Sequence, residues 1–477
     1  MLTGKLLENL LELAELSKTD FAMSLFVSPS TLSNILSGKR LPKLAEKEKF
    51  CNQTSGALAS ALYGHQCHLK LQKVFPVIYE IKSKEELQGF LNQAISYTLD
   101  KDFAEEQELN VDFPDYSKTY FGYDSIRNMI CVILSDVALK MEPEILDVFS
   151  TLRYGSALLR DWAEETVIAP NEDRRRFTIN QFIAPGYFDD LPYEVNLLKR
   201  KSNFLRYLRH LDRISDLRLW GANINVSEEF LLVNDHFVLL FDLHPEGTLS
   251  MTHVTNKGLI HRFYYYVLKN RTSAQSFNRA EVRDYLIQNP GRISEYFADN
   301  IVSTYFFTNA GVLFRDDELE DAEPEPLIRE AILSLNNAIL NGDGNIYLTT
   351  YELEDFFSTG EINLPLAKRV TLPAESRLDY IKRSHDYAKK SSPRKFMFYD
   401  HSFPKMIIIC TPQIALFYFP ADNKDDDKNY VIKGMNMDDI IQRLIMDELS
   451  YSETKCSQYN LELWDELIKS LENLINQ

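Results

Sequence analysis

Apolar positions recur with the period of an α-helix through the first part of the chain. Leucines spaced three and four residues apart predict one amphipathic helix over Leu2–Leu16. A second, short helix is predicted over Lys18–Leu25, with Phe21, Ala22 and Leu25 on its apolar face. Two such helices need a third to complete a small core.

The third helix follows a tight turn at Phe26-Val27. Ser28 is a suitable N-cap, and Pro29 suits the first helical position because that position needs no N–H donor. Gly38 ends the helix, since glycine readily adopts the left-handed conformation of a helix C-cap. The predicted buried face is apolar: Leu32, Ile35 and Leu36.

The outer face of this third helix is polar, and short hydroxyl and amide groups can meet base edges in a DNA major groove. The candidates for base-edge or water-mediated contacts are Ser28, Ser30, Thr31, Ser33 and Asn34. Nearby cationic and hydroxyl groups can contact phosphates, which position a protein without reading sequence. The candidates for phosphate contacts are Lys18, Thr19, Lys39 and Arg40.

These features together resemble the helix-turn-helix of the lambda-repressor-like (XRE) family of bacterial DNA-binding proteins. The resemblance covers residues 1–50. Ala22 lies where the family needs a small residue for close helix crossing, and Gly38-Lys39-Arg40 matches its closing loop. The family's hydrophobic positions are matched by Val27, Leu32 and Ile35. The resemblance implies a regulator of transcription that binds double-stranded DNA as a homodimer, because paired recognition helices read a two-fold site.

Two positions depart from the family pattern. The turn usually carries a glycine with positive φ, and this chain has Phe26 there, which predicts either a strained turn or a differently shaped one. A glutamate often stands two residues before the loop glycine, and this chain has Leu36. The alternative interpretation is a helical hairpin that only packs against the rest of the chain.

Beyond this region the pattern stays helical to about residue 165, as in Lys84–Asp100 and Ile126–Met141. This segment could connect domains or pair two copies of the chain. After Glu165–Arg176, β-rich runs alternate with helices, which predicts a mixed α/β body.

The body contains a possible internal duplication. Phe230–Phe241 and Ile407–Tyr418 each read as a β-hairpin, and each follows a short predicted strand, Leu217–Trp220 or Ile346–Thr349. Two such units could form a pseudo-symmetric pair, joined by the acidic, proline-containing linker Asp316–Pro326. The alternative is two unrelated hairpins.

We therefore predict a multidomain α+β protein. An all-α helix-turn-helix domain occupies residues 1–55, and a helical connector or dimerisation segment occupies 56–165. The first α/β module spans 166–315, and the second, with C-terminal helices, spans 327–477.

Composition and charge agree with a globular chain of this kind. Hydrophobic residues make up 45% of it, which is ample for large cores. The net charge is −18, which argues against nonspecific nucleic-acid binding by the whole molecule. Residues 1–75 carry nine basic and six acidic side chains, a net of +3, which leaves −21 for the rest. A sequence-specific DNA binder with a regulatory body would show this asymmetry, although so small a bias also arises by chance.

The sequence also predicts where the protein resides. Five scattered cysteines suit free thiols in a reducing cytoplasm. The apolar runs are too short for a membrane span, and no signal peptide is evident. We predict a cytoplasmic protein without a membrane partner.

Candidate chemistry is sparse. The chain lacks GxGxxG, HExxH, GxSxG and phosphate-loop motifs, so we predict no enzyme, no catalytic residue and no cofactor. Four histidines lie in one hairpin region: His236, His244, His253 and His261. A duplicated module with histidine and lysine near hairpin ends resembles the phospholipase-D-like arrangement, but the paired HxK motifs are missing from both halves.

No metal site is predicted either. The thiols and imidazoles near residue 60 have the right ligand types for zinc but the wrong spacing: Cys51, His65, Cys67 and His68. Asn341–Glu352 spaces its oxygens like a calcium loop, but Ile346 replaces the glycine that such a loop needs at its sixth position. It reads better as a glycine-rich turn into a strand.

The prediction is thus a transcriptional regulator whose body senses a ligand or a partner. The main alternative is an enzyme or defence-system effector with an autoregulatory DNA-binding domain. A third possibility is a scaffold whose N-terminal domain binds protein.

Overall fold

The structure is a computed structural model that describes residues 2–108, 117–140, 145–152, 166–168, 177–183, 208, 211, 215–221, 229–243, 249–270, 274–297, 301–367, 369–390, 396–399, 405–420, 427–434, 436–439, 441–442, 445, 457–458 and 461–475. The fold is mixed α+β, with helices first and sheets after them, as the sequence predicts.

The N-terminal region is mainly helical. Its helices are α1 (Thr3–Leu13), α2 (Lys18–Ser24), α3 (Pro29–Leu36), α4 (Lys47–Gly64), α5 (Lys84–Glu108) and α6 (Tyr123–Lys140). Short 3-10 turns at Leu44–Glu46 and Cys67–Lys73 flank α4. The three helices predicted before residue 40 are confirmed, although α1 ends at Leu13 rather than Leu16.

Strands also occur before residue 166, where the sequence predicts helices alone. β1 (Val77–Tyr79) pairs with β4 (Thr166–Ile168). The other strands of the first half are β2 (Ser117–Phe121), β3 (Leu146–Ser150), β5 (Phe177–Ile183), β6 (Asp216–Gly221), β7 (Glu229–Val233), β8 (Phe237–Leu243) and β9 (Leu249–Val254). Among the described residues these form a seven-stranded sheet, the first sheet, in the order β2-β9-β8-β7-β3-β5-β6. Helix α7 (Lys257–Asn270) follows it.

The second sheet uses strands from the C-terminal half. The strands of this half are β10 (Ala274–Asn278), β11 (Ser303–Phe306), β12 (Asn345–Thr349), β13 (Glu361–Asn363), β14 (Arg369–Thr371), β15 (Phe396–Tyr399), β16 (Ile407–Cys410), β17 (Ile414–Phe419), β18 (Lys428–Lys433) and β19 (Ser457–Gln458). The second sheet has the order β10-β18-β17-β16-β11-β12-β15-β19 within the described part of the chain, and β13 pairs separately with β14. The helices here are α8 (Arg279–Gln288), α9 (Arg292–Tyr296), α10 (Asp316–Ala322), α11 (Pro326–Asn341), α12 (Thr350–Thr359), α13 (Ala374–Lys390) and α14 (Leu461–Ile475).

Apart from β19, which adds an eighth strand at one edge of the second sheet, the two sheets share one topology. In the first, β3 is parallel to β5, β5 is parallel to β6, and β3 is antiparallel to β7. In the second, β11 is parallel to β12, β12 is parallel to β15, and β11 is antiparallel to β16. The predicted hairpins are β7–β8 and β16–β17, and they occupy equivalent places. The body is therefore built from two similar modules.

Several details of the predicted duplication are wrong. Asp316–Pro326 is not a linker: it contains α10, whose Leu319 and Ala322 are buried within the second module. The short strands before the hairpins are not equivalent either, because β6 corresponds in position to β15, whereas β12 corresponds to β5. The strands of the two sheets span residues 117–254 and 274–458, and the predicted domain bounds stay a prediction.

The core is continuous between the N-terminal helices and both sheets. One apolar cluster extends from Leu6 in α1 to Ile432 in β18. Along β16, Ile408 and Cys410 join that cluster, whereas Ile407 and Ile409 point into a separate cluster on the other face of the second sheet. None of the described helices combines the length and the apolar content that a membrane span requires.

Candidate nucleic-acid interface

The head, defined here as residues 2–64, carries the predicted interface, and two serines fix where its inner helices begin. The Ser17 hydroxyl caps α2 by accepting a hydrogen bond from the Asp20 backbone N–H at 3.1 Å. The Ser28 hydroxyl caps α3 in the same way, accepting from the Thr31 N–H at 3.1 Å, and Pro29 is the first helical residue. Each cap satisfies a donor that the helix leaves unpaired, so the helix boundaries follow from local sequence.

The turn between α2 and α3 is the strained one of the two predicted alternatives. Phe26 adopts φ +56°, in the left-handed region that favours glycine. Its side chain is 88% exposed, so burial does not offset this cost. The Val27 N–H donates to the Ala22 carbonyl at 3.0 Å and closes the turn. Left-handed backbone costs a residue with a Cβ about 1–2 kcal/mol.

The head closes through a backbone contact that sequence reasoning missed. A Cβ at Gly4 would lie 2.2 Å from the carbonyl oxygen of Leu36, so only glycine lets α1 cross the end of α3 this closely. The sequence feature that could have revealed this contact is a glycine inside an otherwise leucine-rich helix. Ala22 is fully buried, as the close crossing of α2 and α3 requires.

The outer face of α3 is a polar stripe open to solvent. Ser30, Ser33, Asn34 and Ser37 follow the spacing of a single helical face, and all four are exposed. Thr31 is half-buried. The Ser28 hydroxyl lies 2.9 Å from that of Ser30 and 2.8 Å from that of Thr31, in addition to its capping role. The stripe, defined as Ser30, Ser33 and Asn34, therefore presents the groups most accessible to a ligand.

Two cations lie at the end of this stripe. Gly38 has φ +70° and ends α3 as predicted, after which Lys39 and Arg40 are exposed. The Arg40 backbone N–H donates to the carbonyl of Asn34 at 3.2 Å, which folds the loop back against the helix. Both side chains thus start close to the stripe.

The candidates on α2 are also on the surface. Thr19 and Lys18 are exposed at the first turn of the helix. The Lys18 ammonium donates to Glu8 at 2.8 Å, and this hydrogen bond lowers the pKa of the Glu8 carboxyl. Because both side chains lie in solvent, the pair is weak, and Lys18 can exchange Glu8 for another anion.

The head is held on α5 by hydrogen bonds and ion pairs, none of which involves α3. The Thr3 N–H donates to Asp102 at 3.0 Å, and the Thr3 hydroxyl donates to that of Thr98 at 3.1 Å. Asp100 receives the ammonium groups of both Lys47 and Lys118, the latter at 2.7 Å. These contacts with α5 and β2 therefore hold the head in place and leave the stripe exposed.

The four histidines of the hairpin region, the other candidates from the sequence, lie in different surroundings. His253 lies in the core, where burial lowers its pKa to about 4, and burial also lowers the pKa of His236. His261 lies 2.8 Å from Asp235 on the exposed surface rather than in a cavity. His244 lies outside the described residues.

The residues weighed as metal ligands are likewise engaged elsewhere. Cys51 and Cys67 are buried, the His65 ring lies 3.1 Å from the Ala14 carbonyl, and His68 stacks on Tyr63. Within the described part of the chain, no three His, Cys, Asp or Glu residues are grouped so that they could hold a metal ion. The calcium-like segment is a turn into β12, as its alternative interpretation predicts.

Comparisons with known proteins find little. No protein-family model matches the chain, and no curated protein does. Solved structures with a similar arrangement include NucT from Helicobacter pylori, with 10% identity and a TM-score of 0.19 over 34% of this chain and 99% of that one. They also include TrmBL2, an archaeal chromatin protein described as showing a novel mode of DNA binding, with 10% identity and a TM-score of 0.17 over 45% of this chain and 84% of that one. At such TM-scores neither similarity supports an argument about this chain.

Proposed function

We propose that this protein binds double-stranded DNA sequence-specifically and that it is, most simply, a bacterial regulator of transcription. The exposed stripe on α3 carries the proposal. A helix of about 10 Å diameter fits a major groove about 12 Å wide, and hydroxyl and amide groups can pair with base edges there. In this arrangement Ser30, Ser33 and Asn34 face the bases.

Charge supports the same orientation. Lys39 and Arg40 are exposed beside the stripe and can reach phosphates on either side of the groove. The remainder of the chain beyond residue 75 carries −21, which duplex DNA repels. Residues 1–75, with a net charge of +3, are therefore the part of the molecule that electrostatics brings to DNA.

Two copies of the chain would bind one operator in this proposal. Paired recognition helices read half-sites about 34 Å apart, one turn of the duplex. Because the head is fixed on α5 rather than tethered, a change in how two bodies pair would change the separation of the two α3 helices. The body would then transmit a ligand or partner signal to DNA affinity. The proposal assigns the chain no catalytic role.

The test is DNA binding by the full chain at several salt concentrations. Fluorescence anisotropy with duplexes from upstream of its own gene would compare the unmodified chain with Lys39→Ala/Arg40→Ala. Losing two phosphate contacts lowers the slope of log affinity against log salt by about 2. The matched control is Lys389→Ala/Lys390→Ala, which removes two exposed adjacent lysines from the end of α13. Equal loss in both variants, or no loss in the first, would remove the phosphate assignment.

A further inference from the structure

A cavity of about 70 Å³ lies beside the second sheet, at the carboxyl ends of two of its parallel strands. Thr308, Asn309 and Ala310 follow β11 and line one side, and Thr349 ends β12 on another. In open α/β sheets, ligands bind in the crevice outside the carboxyl ends of the strands. The cavity is thus where this topology favours a ligand.

Most of the cavity wall is hydrocarbon. Apolar side chains come from β11, β12, β13, α12, α14 and the segment after β11: Phe306, Leu313, Leu348, Phe356, Ile362 and Trp464. The polar groups of the wall are tied back into the protein, since the Tyr380 hydroxyl donates to the Ala310 carbonyl at 2.8 Å and Thr308 accepts from Asn363 at 2.8 Å. A small hydrocarbon group would therefore fit the cavity.

Glu352 differs from these polar groups because one of its carboxylate oxygens is buried without a hydrogen bond to the described part of the chain. It lies in the first turn of α12, where the Thr349 hydroxyl accepts from its backbone N–H, and the residue is only 5% exposed. Among the described residues, its Oε2 atom has no hydrogen-bond partner. The Lys405 ammonium lies 4.0 Å from Oε2 and donates instead to Asp355 at 2.8 Å. A buried carboxylate left in this state is costly, so a donor that fills the cavity would be bound favourably.

The surrounding charges determine whether a cationic or an anionic ligand would bind in the cavity. Glu352 and Asp355 outnumber Lys405, so the region is net negative when both carboxylates are ionised. Burial raises the pKa of Glu352 to about 7. A cationic ligand would replace the proton that this carboxyl otherwise takes up, whereas an anion would add to the repulsion.

We propose that this cavity binds a small organic ammonium ion, a primary amine on a short hydrocarbon, with the ammonium group donating to Glu352 Oε2. The hydrocarbon occupies the apolar part of the cavity. The inference concerns the body alone and holds whether or not the head binds DNA.

Isobutylamine, isobutanol and isobutyrate provide three probes of matched shape and different charge. Calorimetric titration of the full chain at pH 8 should show the amine binding at least tenfold more tightly than the alcohol, with no binding of the carboxylate. The amine's affinity should fall as the pH drops below 7, because protons then compete for Glu352.

Two variants locate the site. Glu352→Gln keeps the shape but removes the charge, and it should weaken amine binding at least tenfold. Glu354→Gln, an exposed position on the same helix, should leave it unchanged. Ser384→Leu, which fills the cavity, should abolish binding of amine and alcohol alike, and circular dichroism would confirm that each variant is folded.

Several results would overturn the proposal. They are equal affinity for amine and alcohol, a preference for isobutyrate, undiminished amine binding by Glu352→Gln, or no saturable binding of the amine at all.

Discussion

The candidate sites of the head and of the second module differ in the exposure of their polar groups. The candidate interface of the head consists of exposed polar side chains, as the stripe of Ser30, Ser33 and Asn34 and the solvent-exposed Lys18–Glu8 pair show. The second module buries polar groups, including Glu352 at 5% exposure. An exposed stripe can meet a large external partner, whereas a buried carboxylate can meet only a small one or a proton. The two regions therefore suit two different ligands.

The largest expected effect comes from testing whether the head unfolds independently of the rest of the chain. Phe21 is fully buried in the core that the head shares with α5. Phe21→Ala should lower the free energy of unfolding by about 3–5 kcal/mol, because it leaves a cavity in a packed core. Urea denaturation followed by circular dichroism would measure it. Continuity of the core predicts a single shifted transition, and a separate early transition would show that the head unfolds independently.

The next test uses pH to separate the two regions. Burial raises the pKa of Glu352 to about 7, above its ordinary value of 4.5. The folded state therefore binds more protons between these values, and its stability falls as pH rises through this window, by about 3 kcal/mol in total. Glu352→Gln should flatten this part of the stability profile and stabilise the protein at pH 8. Glu354→Gln is the control, and an identical profile for both variants would contradict the assignment.

A pair of serines should separate stability from recognition within the head. Ser28→Ala removes the N-cap of α3 and should cost about 1 kcal/mol. Ser33→Ala lies on the exposed stripe and should change the free energy of unfolding by less than about 0.5 kcal/mol while weakening DNA binding. Thermal unfolding and anisotropy on the same samples would check both. Equal destabilisation by the two substitutions would show that Ser33 has a packing role.

The smallest expected effect concerns the strained turn. Phe26→Gly should raise the free energy of unfolding by about 0.5 kcal/mol, because relief of the positive φ exceeds the entropy that glycine loses on folding. Phe26→Ala keeps the strain and should not stabilise the protein. A loss of DNA affinity in both variants would mean that the exposed ring itself contacts DNA.

The same contrast explains what the sequence could predict. In the head, the caps Ser17 and Ser28 and the stop at Gly38 are local signals, so helix bounds and the exposed stripe could be predicted from neighbouring residues. In the body, the two hairpins could be predicted because apolar runs around a turn are also local. Strand order could not, since β11 pairs with β12 across two intervening helices.

One misreading and one omission in the body have the same origin. The stretch from Asp316 to Ala322 looks like a linker because it is mostly acidic, yet Leu319 and Ala322 suffice to bury one side of α10. Glu352 appears in the sequence as the last position of a calcium-like loop. The cavity that it lines is completed by residues of α13 and α14, which are distant in sequence, so no local pattern could reveal the cavity.

The central claim, that α3 reads DNA bases, is tested most directly by selection from a random duplex library with the full chain and with Asn34→Ala. The account predicts that the unmodified chain enriches a defined site and that the variant enriches the same site with relaxed preference at one position in each half, a loss of about 1–3 kcal/mol of discrimination there. No enrichment by the unmodified chain, or an identical site for both proteins, would contradict it.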